Sequence, residues 1–411
     1  AELHNTTNKK PWISLLSSTS TLSSTFYQKT TSSSGYKKPC SNMKIALVHD
    51  YLREYGGAER VLEALHAMYP DAPVYVGFVD RKSLGRHASR FDGWNIRETW
   101  ISRLPGYKKL YSPYRIFAPK AFSALDLSAF DIVISSSNAY FAKSVRVPNG
   151  QHLCYCHTPP RALYGYATMS NWKANPVTRF VGSIMNHFLR GTDFYAAQKV
   201  DHFLANSKET ARRITKFYRR ESVVIHPPVA MVDWVATHQP KIVPLAQREY
   251  FLYVNRLALA KHPEIAVQVC SSLSLPLRVV GEGKMLEGLK AMAGPTVSFL
   301  GGVDDEQLRE LYAGAKAVLY PVEDEDFGIV PVEAMAFGTP VVAHNSGGPT
   351  ETIVDGVTGI LFDELSPQGL TTALERAAKT KFSVAEVARA SLLYSTKSFE
   401  SAIKKSVATA R

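Results

Sequence analysis

AKAVLYPVEDEDFGIVPVEAMAFGTPVVAHNSGGPTETI, residues 315–353, carries the punctuation of one strand–loop–helix–strand unit. Ala317, Val318, Leu319 and Tyr320 predict a short apolar strand, followed by an acidic loop at 323–326. Phe327 and Gly328 lead into Pro331, read as the first position of a helix, where a missing N–H has no partner to lose. Helix formers at 333–336 follow, Gly338 closes the helix, and residues 340–344 predict a second strand. Such a βαβ unit builds a parallel sheet that takes ligands at the carboxyl ends of its strands. Free N–H groups and the positive dipole end at the helix start suit a phosphate. Glu325 lies just before that helix and Glu333 in its predicted first turn, so both can face one pocket. A carboxylate beside a phosphate repels it unless it holds sugar hydroxyls instead. The stretch therefore reads as a nucleotide-sugar site.

The E-x7-E pair Glu325/Glu333 around Phe327-Gly328, followed by E-A-M-A-x-G-x-P-V-V, resembles the retaining family 4 glycosyltransferases of GT-B fold. The resemblance covers roughly residues 43–411. It implies an α/β fold of two Rossmann-like doubly wound domains facing across a cleft. An acceptor domain would span 43–228 and a nucleotide-sugar donor domain 229–385, with a helical segment at 386–411 crossing back to the first.

Length and composition agree with two domains. A chain of 411 residues exceeds the size at which one core stops growing. Four cysteines, at 40, 154, 156 and 270, make no disulfide framework and point to a reducing compartment. The expected location is cytoplasmic, with peripheral contact at the inner membrane face, since no apolar run approaches the roughly 20 residues that span a bilayer. Lys and Arg outnumber acids 5 to 1 in residues 1–42 and 26 to 14 in 43–225, whereas 226–411 hold 17 against 21. A basic front half predicts an anionic partner there alone. No nucleic-acid motif accompanies the charge, so a membrane or polyisoprenyl-phosphate acceptor is expected and nucleic acid is not. Residues 1–42, with 17 Ser or Thr, read as a disordered or leader tail ahead of Met43.

Residues 43–50 predict a buried parallel strand and 58–69 a helix with Val61, Leu62, Leu65 and Met68 inward. Between them Gly56-Gly57 would let backbone approach a ligand closely. The pair is not G-x-G-x-x-G, which disfavours a nicotinamide cofactor. By the resemblance Gly56 lies near the acceptor and Gly57 near the donor phosphates. Residues 103–122 interleave basic side chains with Tyr107, Tyr111, Tyr114 and Phe117, as an interfacial segment does, although Pro113 and Pro119 interrupt any long helix. Rings at these spacings also suit a core.

Strands are expected at 130–136, 151–156, 201–207 and 222–225, and a helix carrying Asp193 at 180–200. Cys154-Tyr-Cys156-His157 invites a zinc reading. Strand alternation turns the cysteines one way and His157 the other, and no second ligand pair exists, so no metal is expected. The string through Arg161 resembles the H-T-P-x-R loop of the polysaccharide mannosyltransferase branch. That resemblance puts His157 on the transferred sugar and Arg161 at the acceptor. Ala162-Leu-Tyr-Gly stands where the branch has an aromatic-Trp-Asp. Asn206-Ser207 reads as a helix cap, and the stretch from His226 to Arg248 as an irregular interdomain linker.

In the rear half, after a strand at 250–254, Arg256 and Lys261 can grip one diphosphate from two sides, as the family's R-x4-K does. A strand at 277–280 runs into the tight turn Gly281-Glu-Gly283 at the donor side. A strand at 297–302 leads to Val303 and Asp305, which the resemblance assigns to the nucleobase. One final helix is expected at 382–405. The expected reaction is retaining transfer of a hexose, mannose from GDP-mannose, onto a lipid-linked or glycan acceptor, without cofactor or metal. Arg256, Lys261 and the N–H groups of Gly328, Ile329 and Val330, in the loop with Phe327, would meet charge developing on the departing diphosphate. Glu325 would position the sugar and Glu333 the ribose. With no covalent nucleophile in evidence, front-face attack aided by the leaving phosphate is favoured. Asp324-Glu325-Asp326 also reads as a metal-binding D-x-D, a UDP-sugar could replace GDP-mannose, and a GT-B sugar-nucleotide epimerase or a non-catalytic scaffold could share the fold.

Overall fold

The front strands are β1 (Ile45–His49), β2 (Val74–Val76), β3 (Ile96–Glu98), β4 (Ile132–Ser137), β5 (Gln151–Cys156), β6 (His202–Ala205) and β7 (Ser222–Val224). The rear strands are β8 (Tyr250–Val254), β9 (Leu277–Val280), β10 (Val297–Gly301), β11 (Ala315–Tyr320), β12 (Val341–His344) and β13 (Gly359–Phe362). In this computed structural model, which describes residues 43–168 and 175–410, they form two parallel sheets. The orders are β3-β2-β1-β4-β5-β6-β7 and β10-β9-β8-β11-β12-β13. Both are doubly wound, so the fold is α/β with two Rossmann-like domains. Each sheet reverses direction once, between β1 and β4 and between β8 and β11, which opens a crevice beyond the carboxyl ends of those strands.

Both faces of each sheet are covered, so central strands are apolar throughout: all five residues of β1 are buried. One front core joins Leu47, Val76 and Ile134 to Val61, Leu62 and Leu65 of the helix Gly57–Met68. The same core takes Phe399, Ile403 and Val407, one face of the C-terminal helix Thr396–Thr409. Each such side chain contributes about 1.5–3 kcal/mol on burial, which holds this rear segment of sequence on the front domain.

Several expectations need correction. The last segment is two helices, Val384–Ser391 and Thr396–Thr409, because Ser395 breaks the run and caps the second by accepting from Ser398 N. Residues 226–248 are only partly irregular. Helix Ala230–His238 buries Met231 and Val232 beside Val332 and Met335, and buried Arg248 donates to the carbonyls of Ala315 and Phe337. Most of that stretch is rear-domain structure. Residues 103–122 form the short helices Tyr107–Tyr114 and Ala118–Ser123, with Tyr107 and Tyr111 packed on the front core. The expected leader at 1–42 lies outside the described residues.

Candidate active site

The acidic loop after β11 is fixed by the loop after β12. A Cβ on Gly347 would lie 2.2 Å from the Glu325 carbonyl, and one on Gly348 2.0 Å from that of Phe327. Only glycines allow this approach, and Gly348 N donates to Glu325 O (2.8 Å) while Asp324 N donates to Ser346 Oγ (2.9 Å). The following helix is Ile329–Ala336, entered through Gly328 at φ 83°. It starts two residues before Pro331, so the proline sits third and Glu333 falls in the second turn, not the first. Pro331 is tolerated there because the first four N–H groups of a helix lack intrahelical partners. The Phe327 side chain turns into the rear core, which leaves its backbone on the loop.

Glu325 meets Lys261, which follows β8 on the other side of the switch point; their side chains are 16% and 13% exposed. Burial pushes the Glu325 pKa up, but Lys261, then Arg161 and Tyr320, outweigh it and hold the carboxyl below its ordinary value. The site is thus an ionised carboxylate and an ammonium beside free helix N–H groups. Val254, Asn255, Arg256, Val280, Gly281, Glu282 and Gly302 line a shallow pocket next to it. At Gly281, φ is 131° and a Cβ would strike the Asn255 carbonyl at 1.9 Å, so this wall needs glycine.

The front domain meets this surface with arginines. Arg60 pairs with Glu333 at 2.5 Å, and Tyr312 donates to the same carboxylate at 2.9 Å. Arg161 donates to Asp324 O (2.8 Å) and Asp326 (3.1 Å), and Arg213 to the same two groups. Arg86 holds the Val303 carbonyl at 2.8 Å, and Arg90 reaches Asp305 at 3.5 Å. In the reverse direction Arg256 crosses to Glu54 at 2.9 Å. Gly57 lies against the start of helix Ile329–Ala336, where a Cβ would come within 2.9 Å of Ile329 Cδ1. Five arginines of the front domain are therefore engaged with rear carboxylates and carbonyls, a part of the basic excess that composition alone assigned to an outside partner.

Two family models cover this architecture: the one described as Glycosyltransferase Family 4 matches residues 55–233, and Glycosyl transferases group 1 matches residues 236–390. The chain belongs to the family 4 glycosyltransferases of GT-B fold. It is 29% identical over 258 residues to the alpha-1,3/1,6-mannosyltransferase ALG2 of Mus musculus, covering 54% of this chain and 58% of that one. It is 39% identical over 116 residues to the D-inositol 3-phosphate glycosyltransferase of Nocardioides sp., covering 28% and 23%. The chain thus spans less than two thirds of the length of these curated relatives. The Anabaena HepE structure in complex with UDP and glucose shares the fold with a TM-score of 0.61 at 18% identity, over 89% of this chain and 100% of that one. The sucrose-phosphate synthase of Thermosynechococcus elongatus gives 0.63 at 20%, over 90% and 100%.

In this GT-B chain His157 is buried, and behind it runs a line of polar groups that reading along the sequence missed. His157 Nε2 lies 2.8 Å from Ser136 Oγ, which lies 3.0 Å from His49 Nδ1; His49 Nε2 is 3.4 Å from Glu59 Oε1. Glu59 also accepts from Gly56 N at 2.8 Å. The glycine loop and the His157–Arg161 loop are thus tied together through the ends of β1 and β4. The available signal was polar residues closing apolar strands: His49-Asp50 at the end of β1 and S-S-S at the end of β4. Asp50, closing the same strand, accepts from the N–H groups of Asn138, Tyr140 and Ala142, each at 2.8 Å.

Burial, with His49 adding repulsion, lowers the His157 pKa to about 3. At neutral pH this ring is an uncharged hydrogen-bonding partner. Ser136→Ala is expected to lower transfer about tenfold, the size of one lost buried hydrogen bond. The wild-type rate should show no limb from His157 between about pH 5 and 7, where an unperturbed histidine titrates. A limb there that vanishes in His157→Gln would overturn the neutral assignment.

Proposed function

We propose that this protein transfers mannose from GDP-mannose to a lipid-linked or glycan acceptor, with retention at the anomeric carbon. The observation that carries the reading is the enclosed Lys261–Glu325 pair beside the start of helix Ile329–Ala336, opposite Gly57 and Arg161. Departure of the diphosphate breaks the bond from anomeric carbon to phosphate oxygen and builds charge on that oxygen. Lys261, Arg256 and the helix N–H groups would stabilise that charge. The acceptor hydroxyl would form the new bond on the same face and pass its proton to the departing phosphate. Glu325 would hold sugar hydroxyls, and Glu333 the ribose once Arg60 gives way. Support for mannose comes from the H-T-P-P-R string and the likeness to ALG2.

Glu325 and Asp326 of the D-x-D-like triplet turn to different cations, Lys261 on one side and Arg161 with Arg213 on the other. Among the described residues no group of three or more His, Cys, Asp or Glu could hold a metal. Cys154, Cys156 and Cys270 are free and buried, in keeping with a reducing, cytoplasmic setting. A panel of nucleotide sugars followed by product analysis tests the reading. GDP-mannose is expected to be consumed in preference to UDP-sugars, undiminished by EDTA. Preference for a UDP-sugar would replace the donor. An epimerised nucleotide sugar formed without acceptor would replace the activity. Loss with EDTA reversed by Mn²⁺ would restore the metal reading.

A further inference from the structure

Helix Pro176–Ala197 is amphipathic the wrong way round for a helix that ends at solvent. Its polar and small residues Asn186, Asp193, Ala196 and Ala197, with Leu189, face the front domain. The exposed face carries Val177, Phe180, Val181, Ile184, Phe188 and Tyr195, between 46% and 70% exposed. At about 100° per residue these six fall within an arc of roughly 100°, opposite the buried set, and run about 27 Å along the axis. Scattered exposed apolar residues are ordinary, but five aligned within residues 177–188, joined by Tyr195 beyond Gly191 and Thr192, mark a binding surface.

The neighbouring segment adds exposed apolar residues beside the same helix. Arg115 Nη2 donates to Asn186 Oδ1 at 2.9 Å, which ties residues 107–123 to the helix. That segment exposes Leu110, Ile116 and Phe117. Around the patch Arg103, Lys108, Lys109, Lys120, Arg179, Arg190 and Lys199 are all exposed. Within residues 103–123 and 175–199 the one acid is Asp193, which is buried on Lys143. Apolar side chains accompanied by an excess of positive charge complement an anionic bilayer surface: rings enter the acyl boundary while Lys and Arg reach head groups. No helix among the described residues is long and apolar enough to cross a membrane, so this helix would lie in the interface plane.

We infer that helix Pro176–Ala197, with residues 107–123, docks the protein onto an anionic lipid bilayer. This deepens the proposed transfer to a lipid-linked acceptor by naming the surface that presents it. The helix packs directly behind the loop that reaches the active site: Asn186 donates to Ala162 O at 3.3 Å and Arg190 to Leu163 O at 2.9 Å, next to Arg161. A membrane-anchored acceptor would therefore enter beside Arg161.

The test is flotation of the full chain with vesicles of phosphatidylcholine alone or with added phosphatidylglycerol, without donor or acceptor. Binding is expected with the anionic vesicles and should weaken as salt rises. Phe180→Ser, Ile184→Ser and Phe188→Ser together should lower partitioning on the order of a hundredfold, while the melting temperature and its shift with donor nucleotide stay as in wild type. Lys108→Gln, Lys109→Gln and Lys120→Gln together should remove most of the salt dependence. No flotation of wild type, or flotation untouched by the serine variant, overturns the inference whatever the donor assay shows. A wild-type dimer that the serine variant dissociates, without flotation, would instead make the stripe a contact between copies. Because no sugar substrate is used, failure here leaves the transferase reading standing, and failure of that reading leaves this one.

Discussion

Replacing Lys261 with alanine is expected to lower kcat/KM for the nucleotide sugar by about 10²–10³-fold, the range for a lost donor to a developing anion. The ammonium is largely shut off from water and aimed at the switch point of the rear sheet, where its field is weakly screened. Arg256 should matter less, by about tenfold, because its guanidinium is half exposed and already answered by Glu54, itself 45% exposed. The sequence motif treats the two as equals; the fold ranks them. Glu325→Gln should divide the kinetic constants instead. Removing this carboxylate frees Lys261 for the diphosphate, so KM should hold or fall while kcat drops, because the sugar loses its anchor. Near wild-type kcat/KM in Lys261→Ala at subsaturating donor would remove this lysine from the mechanism. A Glu325→Gln variant that raises KM alone would reduce the glutamate to a ground-state contact.

How much of this was legible follows from range. Strands β5, β8 and β9 stand where their apolar runs lie, since a run closed by Gly, Pro or a polar cluster is a local signal. Strands β2, β3 and β13 escaped the reading; β3, Ile96–Glu98 at the sheet edge, holds a single apolar residue. The helix after Gly328 was read as starting at Pro331, because proline is the strongest local marker. The true start is set by Gly347 and Gly348, some twenty residues on, which pin the loop ahead of it. The last helix was misread because a serine within an apolar period seems harmless until its side chain caps a new helix. Least legible were pairings across the cleft. Arg60 and Glu333 are 273 positions apart, and nothing local in either tells which charge it will meet. The same holds for Arg213, absent from the sequence-based site yet bound to Asp326. The line from Glu59 through His49 and Ser136 to His157 needs the parallel pairing of β1 with β4 before it can exist.

The largest stability effect is expected at a residue outside the site. Asp193→Ala should destabilise the front domain by about 3–5 kcal/mol, because it strands a buried ammonium. Lys143 Nζ and Asp193 Oδ1 are 2.5 Å apart with side chains 1% and 0% exposed, and Tyr164 donates to the other carboxylate oxygen at 2.9 Å. Burial works to lower the Lys143 pKa, but Asp193 overrides it and the pKa ends above that of a free lysine. A raised lysine pKa gives stability that is fully present below the unfolded value, near pH 10.4, and is lost only as pH climbs through the folded one. The wild-type contribution should therefore be flat between about pH 6 and 9, whereas the deficit of Asp193→Ala should shrink as pH rises, because the stranded amine is held below its ordinary pKa by burial and sheds its proton; urea unfolding followed on the front-domain transition checks both. Lys143→Met combined with Asp193→Leu should recover much of that deficit, since an apolar pair has no charge to desolvate. If the double variant is as unstable as Asp193→Ala, packing around Tyr164 and Tyr218 carries the effect and the charges do not. The outcome bears on docking as well, because Asp193 fixes the inner face of the helix whose outer face carries the apolar stripe. A variant with the pair replaced but the helix seated should still float with anionic vesicles, whereas one with the helix loosened should not.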